Sequence, residues 1–237
     1  ERFADLLVFP VVGLVLWGFV ANYVRIQSSV LASFFLGGMI LWIIFERVGS
    51  SIGIDFMWEV WEKNLINILA TPISIVEYLV GLVLVSIIKV IISFAGMWIL
   101  ASAFYHFQIG SLGFALVAFW INLILFAVTL GIFNVAIIAR FGHSIGPLTW
   151  ILPFAIQPFA AVFYPVSILP VAFQTIVWFL PISHVFEGMR NSFSTGTFGW
   201  GDFWAAFILN IVYFCVTVVF FGLMLRFAKK NGSLVKL

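Results

Sequence analysis

Leu79-Val80-Gly81-Leu82-Val83-Leu84-Val85-Ser86-Ile87-Ile88 is apolar at nearly every position. That run decides the fold class. A strand of a membrane barrel alternates apolar and polar residues over segments of about ten, so this stretch is helical. It lies within a longer apolar run from Ile75 to Tyr105, ample for a bilayer core of about 30 Å, which takes roughly 20 residues of helix. The rest of the chain agrees. Of 237 residues 64% are apolar and 8% charged, against roughly 45–50% and 25% in soluble domains, and no water-facing surface can be built from that inventory. The expected fold is an all-α integral membrane protein.

Working outward, the sequence predicts one transmembrane domain of about six helices, at about 3–24, 30–45, 75–105, 113–140, 148–162 and 203–227. Two longer interruptions separate them. The first, 46–74, holds six of the twenty charged residues, Glu46, Arg47, Asp55, Glu59, Glu62 and Lys63, and is too polar to span. The second, 163–201, is broken by Pro165, Pro170 and Pro181; each removes a backbone donor and disfavours helix at the residue before it. It reads as short helices dipping into one interface. The first apolar run, Leu6 to Ala21, is span-length and lacks a small-residue cleavage site, so it is not a signal peptide. The chain opens at Glu1 without methionine, and an upstream segment is expected.

Charge placement sets the orientation. With both termini cytoplasmic, the inner parts hold Arg2, Arg47, Lys63, Arg140, Arg226, Lys229, Lys230 and Lys236, and the outer parts only Arg25 and Arg190, as the positive-inside rule requires. Trp17, Trp42, Trp150, Trp178 and Trp200 fall near expected span ends, where amphipathic rings settle. The net charge of +2 forms no basic stripe, so nucleic acid is not an expected partner. Cys215 is the single cysteine and leaves the redox compartment open.

Within the first interruption Ile54, Met57, Trp58, Trp61, Leu65, Ile68 and Leu69 recur at helical spacing, with Asp55, Glu59, Glu62, Lys63 and Asn67 largely opposite. This predicts an amphipathic helix of about four turns along the membrane, ending before Pro72. It either anchors the loop or presents its charged face to a cytoplasmic partner. Lys89 lies 14 residues into its span, roughly 21 Å along at 1.5 Å per residue. It either snorkels or makes a structural pair, or it is a cavity charge that meets an anionic headgroup or Glu187. Glu187 and Arg190 share a helix face and can pair locally or cap a pathway. Asn122, Asn134, Gln157 and Asn210 are intramembrane polar groups suited to helix packing or to substrate. Glu77 is expected at the interface. His106, His143 and His184 fall on separate loops, so no metal site or histidine chemistry is assigned.

Glu62-Lys63-Asn64-Leu65, then Ile68-Leu69-Ala70-Thr71-Pro72-Ile73-Ser74 and Glu77, resembles the charged cytoplasmic helix and the Thr-Pro-Ile-Ser run of type-2 ABC exporter permeases. Tyr164-Pro165-Val166-Ser167-Ile168-Leu169-Pro170, followed by Leu180-Pro181-Ile182-Ser183-His184 and Glu187-Gly188-Met189-Arg190, resembles their outer re-entrant hairpin. The resemblance covers essentially the whole chain. It implies a permease in the prokaryotic cytoplasmic membrane, most simply a homodimer, coupled to two copies of an ATPase subunit. It further implies a coupling helix carrying Asp55, Trp58, Glu59, Glu62, Lys63 and Asn64, and a pathway or outer gate near Lys89, Gln157, Tyr164, Glu187 and Arg190. The amphipathic helix that usually begins the family is not in this sequence. No G-x-x-x-x-G-K-[S/T] phosphate cradle occurs, so the chain is not expected to be an enzyme by itself; ATP and Mg belong to the partner.

The cargo expected from so little intramembrane charge is hydrophobic or amphipathic: a drug, a lipid or a lipid-linked glycan. Two other classes compete. An ion-coupled secondary transporter is expected to show paired intramembrane acids or broken helices in two matching halves. A membrane-embedded lipid enzyme needs clustered acids, histidines or a nucleophile with its base.

Overall fold

The computed structural model describes residues 2–26, 28–107 and 109–230; Glu1, Lys236 and the rest of the carboxyl end lie outside them. The described chain is helical. In order come α1 (Arg2–Arg25), α2 (Ser29–Trp61), α3 (Leu65–Ala70), α4 (Ile75–Tyr105), α5 (Phe114–Phe141), α6 (Leu148–Ile156), α7 (Val171–Val177), α8 (Pro181–Thr195) and α9 (Trp200–Lys230), with short 3-10 turns between several of them. Four of these helices, α2, α4, α5 and α9, are long and apolar enough to cross a membrane.

The largest departure from the sequence-based expectation is α2. It was expected to end at Phe45, with the polar run after it forming a separate helix on the membrane surface. Instead one helix of 33 residues continues to Trp61. The predicted amphipathic helix is therefore split, its first half being the end of α2 and its second half the six-residue α3. Helical periodicity is the same for both arrangements. What permits the continuation is close packing. A Cβ at Gly53 would stand 2.7 Å from Thr149 Cγ2 and 3.0 Å from Asn134 Cβ, and one at Gly131 would stand 2.7 Å from Ile52. Small residues let the backbones of α2, α5 and α6 approach, as at helix contacts in lipid.

The fifth expected span, 148–162, is also not one straight helix. α6 has nine residues, about 14 Å at 1.5 Å each. Pro153 lies within it, and Pro158 sits in the 3-10 turn Gln157–Phe159 that follows. The segment nevertheless runs antiparallel along α2, from Thr149 beside Gly53 to Val162, whose carbonyl oxygen is 2.9 Å from a Cβ built on Gly38.

Ring contacts fix the direction of the other helices. Phe126 of α5 meets Phe45 of α2 and Tyr213 of α9, Phe133 stacks on Phe220, and Gly131 lies against Ile52 of α2, so α2, α5 and α9 run parallel. Asn210 of α9 donates to the carbonyl and side-chain oxygens of Asn122 on α5 at 2.9 and 3.0 Å, which assigns both to helix packing. Tyr78 of α4 meets Phe56 of α2 near one end of the helix. At the other end the Tyr105 hydroxyl donates to the Val15 carbonyl of α1 at 3.2 Å. The bundle thus has an elbow end, at the α2–α3–α4 connection, which α5 and α9 also reach with Arg140, Arg226 and Lys230. The far end holds α7, α8 and the turns around them.

Candidate functional site

Between α1, α2, α4 and α6 lies a cavity of about 510 Å³, within the range of about 300–1,000 Å³ typical of small-molecule sites. Its polar side is one face of α2. Glu46, Ser50, Ile54 and Trp58 form one i,i+4 row and Arg47, Ser51 and Asp55 the next, and all line the cavity. α4 contributes Ser86, Lys89, Val90 and Ser93, again one face. Trp42, Trp150 and Phe154 give apolar walls, and Pro10 and Gly13 of α1 line the near side. The charges of the extended α2 are thus accommodated inside the bundle, which explains how so polar a stretch remains helix.

Lys89 finds its partner here. Its Nζ is 2.6 Å from Asp55 Oδ2 and 3.4 Å from Ser51 Oγ, and Ser51 itself donates to Asp55 Oδ2 at 3.3 Å. Glu46 accepts from Ser50 at 3.4 Å and stands 3.7 Å from Arg47 Nε. The cavity therefore holds two carboxylates and two cations. Of the alternatives open for Lys89 the structure thus shows a pair, with Asp55 and not with Glu187, and one expectation is corrected: Asp55 lies in the cavity and not on the surface of the elbow. The lining serines were missed in the sequence. Their signal was available in the i,i+4 row Glu46/Ser50 and in Ser86, Lys89 and Ser93 at intervals of three and four.

The other residues expected to meet a partner cluster at the elbow. Glu62 caps α2, and Lys63 turns the chain in the left-handed region, with φ +54°. Asn64 donates to Glu59 at 2.7 Å and holds the turn closed. Trp58 and Trp61 pack edge to face, centroids 5.0 Å apart, and both are exposed, as are Glu62 and Lys63. After α3, Ser74 and Glu77 form a reciprocal capping box that starts α4. Thus Glu77 has a structural task at the helix start. Trp58 belongs to both places, lining the cavity on one side and touching Trp61 on the other.

At the far end Glu187 accepts from the Val166 amide at 2.6 Å and from Arg190 at 3.1 Å, while Arg190 reaches the Val162 carbonyl at 3.4 Å. The two residues bind each other and fasten the 162–166 strap to α8. Tyr164 donates its hydroxyl to the Pro158 carbonyl, closing the turn that begins at Gln157. His184, buried on α8, bonds through Nε2 to the Trp178 carbonyl at 2.9 Å, and its Nδ1 faces Asp202 of α9 at 3.6 Å. Gln157, Tyr164, Glu187 and Arg190 do not join Lys89 in the cavity. Among the described residues no three His, Cys, Asp or Glu side chains gather as a metal site.

A cavity with paired charges, reached by a helix whose end is an exposed elbow, can bind an amphipathic molecule and respond to a force applied outside it. Comparison with known proteins bears on which system that is. The family model described as ABC-2 type transporter matches residues 2–194. No curated protein matches the chain.

Proposed function

The chain belongs to the ABC-2 type transporter family and is a membrane permease component of such a transporter, a family that partners with an ABC ATPase subunit; from that premise we propose that it is one half of an ATP-driven exporter. In this reading it moves a hydrophobic or amphipathic substrate out of the cytoplasm. The second half is another copy of the chain, and two copies of a separate ATPase hold the ATP and Mg. α1 and the broken segment 148–162 complete six crossings of a prokaryotic inner membrane, with the elbow end and both termini cytoplasmic.

One observation carries the reading. The cavity wall from Glu46 to Trp58 lies on α2, and the elbow at Glu62 and Lys63 directly follows the last turn of that same helix, so a push on the elbow is passed to the wall. The exposed Trp58, Trp61, Glu62 and Lys63, with Glu59 and Asn64 bracing the turn, are the contact for the ATPase. The cations Lys63, Arg140, Arg226 and Lys230 at the same end support its cytoplasmic side. Glu187, Arg190 and Tyr164 close the opposite end by tying the strap at 158–166.

Affinity purification of the solubilised chain from its native membrane tests this. An ABC ATPase should co-purify, and the double reversal Glu62→Arg/Lys63→Glu should release it while the permease stays folded. Isolation of the chain in a transport-competent complex without any ATPase would overturn the proposal. The Lys89–Asp55 pair is the one observation that favours an ion-coupled carrier, since such carriers hold paired charges inside the membrane; a carrier would move substrate on an ion gradient alone.

A further inference from the structure

We propose that the cavity between α1, α2, α4 and α6 selects a zwitterionic amphiphile, one whose head carries an anionic and a cationic group in equal number. This rests on the permease reading and names the substrate class of its site.

The charge inventory is the first ground. Asp55, Glu46, Lys89 and Arg47 sum to zero within a cavity whose other walls are mainly apolar. A ligand with net charge brings a charge of one sign into this low-dielectric space, where an ion without its counterpart is costly. A zwitterion brings none.

The second ground is which groups remain available around the ion pair. Both contacts of Asp55 run through Oδ2, one to Lys89 and one to Ser51, which leaves Oδ1 for a cation. Lys89 has three donors, of which two are used, on Asp55 and Ser51, and the third is free for an anion. Ser86 lies three residues before Lys89 on the same helix face. It is 1% exposed, lines the cavity, and its hydroxyl has no hydrogen-bond partner among the described residues. A buried hydroxyl of that kind is costly unless it is satisfied. An anionic oxygen placed between Lys89 and Ser86 satisfies both, and the ligand's ammonium then falls on Asp55 Oδ1. The Lys89–Asp55 bond need not break. Trp42, Trp150 and Phe154 supply the apolar wall for the chain that follows the head.

Tryptophan fluorescence tests the proposal, because Trp42, Trp58 and Trp150 line the site. The protein, purified in an uncharged maltoside with whatever subunits accompany it, is titrated with octylphosphocholine, octyl phosphate and octyltrimethylammonium, each below its micelle concentration. A saturable change should appear with octylphosphocholine. The two charged probes should bind at least about tenfold more weakly, roughly 1.4 kcal/mol. Ser86→Ala should weaken octylphosphocholine about three- to tenfold, the scale of one lost hydrogen bond, with the melting temperature of the ligand-free protein equal to or above that of the parent. Ser86→Cys, which keeps a weak donor, should fall between and serves if the alanine variant does not fold. Equal or tighter binding of either charged probe overturns the proposal, as does an affinity that neither serine variant alters. The assay needs neither ATP nor an ATPase, so a failure here leaves the permease reading standing, and absence of the ATPase leaves the selectivity intact.

Discussion

Lys89 and Asp55, 34 residues apart in sequence, meet at 2.6 Å and join α4 to α2 at the wall of the cavity. Both are partly exposed, at 28% and 18% of the side chain. Removing one partner of a fully buried pair costs about 3–5 kcal/mol, whereas exposed pairs contribute at most about 1. Lys89→Met or Asp55→Asn alone should therefore lower stability by about 1–3 kcal/mol. The double variant should recover part of the loss, and the swap Asp55→Lys/Lys89→Asp more of it. A double-mutant cycle on unfolding in mixed micelles measures the coupling. Strict additivity would mean that the pair contributes nothing.

The continuation of α2 past Phe45 depends on Gly53. Gly53→Ala places a methyl 2.7 Å from Thr149 Cγ2 and should cost about 1–3 kcal/mol as an overpacked contact. Gly81→Ala, on α4 with nothing within 4 Å of the new atom, should be neutral or stabilising by up to about 1 kcal/mol. Thermal unfolding of the two variants side by side separates packing from helix propensity.

Lys63 supplies the left-handed residue at the elbow. That conformation costs a side-chain-bearing residue roughly 1–2 kcal/mol and glycine almost nothing. Lys63→Gly should leave the permease folded, with a melting temperature equal to or above that of the parent. ATPase retention should drop if the lysine charge is part of the contact, so stability and pull-down yield should move independently.

Glu187 holds a backbone amide and an arginine at once. Glu187→Ala should loosen the strap at 162–166 and leave Arg190 without its carboxylate, a loss of about 2–4 kcal/mol for charged hydrogen bonds. Hydrogen exchange should rise at Val166, whose amide Glu187 holds, before it rises in α5. Unchanged protection there would show that the strap is held by other contacts.

Much of this molecule was legible in its sequence, and the failures share one physical cause. The apolar runs of α4, α5 and α9 announce themselves because lipid demands unbroken helices there. The 46–61 stretch was misplaced because polarity alone says only that a segment avoids lipid. It does not say whether the segment finds water at a surface or partners in a cavity. Asp55 was assigned to the surface on that ground, yet its partner Lys89 was visible as the single charge deep in α4. The pairing needs the crossing of two helices, which no local pattern encodes. Glu187 and Arg190 show the opposite case. Their spacing of three already predicts their contact, and only their hold on Val162 and Val166 required the fold.

The central claim is that this permease draws on ATP through its elbow. The decisive measurement is uptake into inside-out proteoliposomes containing the chain with its co-purified ATPase, using radiolabelled lipid recovered from the purified complex as the probe. Mg-ATP should drive accumulation that survives ionophores and is lost in Glu62→Arg/Lys63→Glu. Accumulation driven by an ion gradient alone, with no ATPase present, would contradict the account.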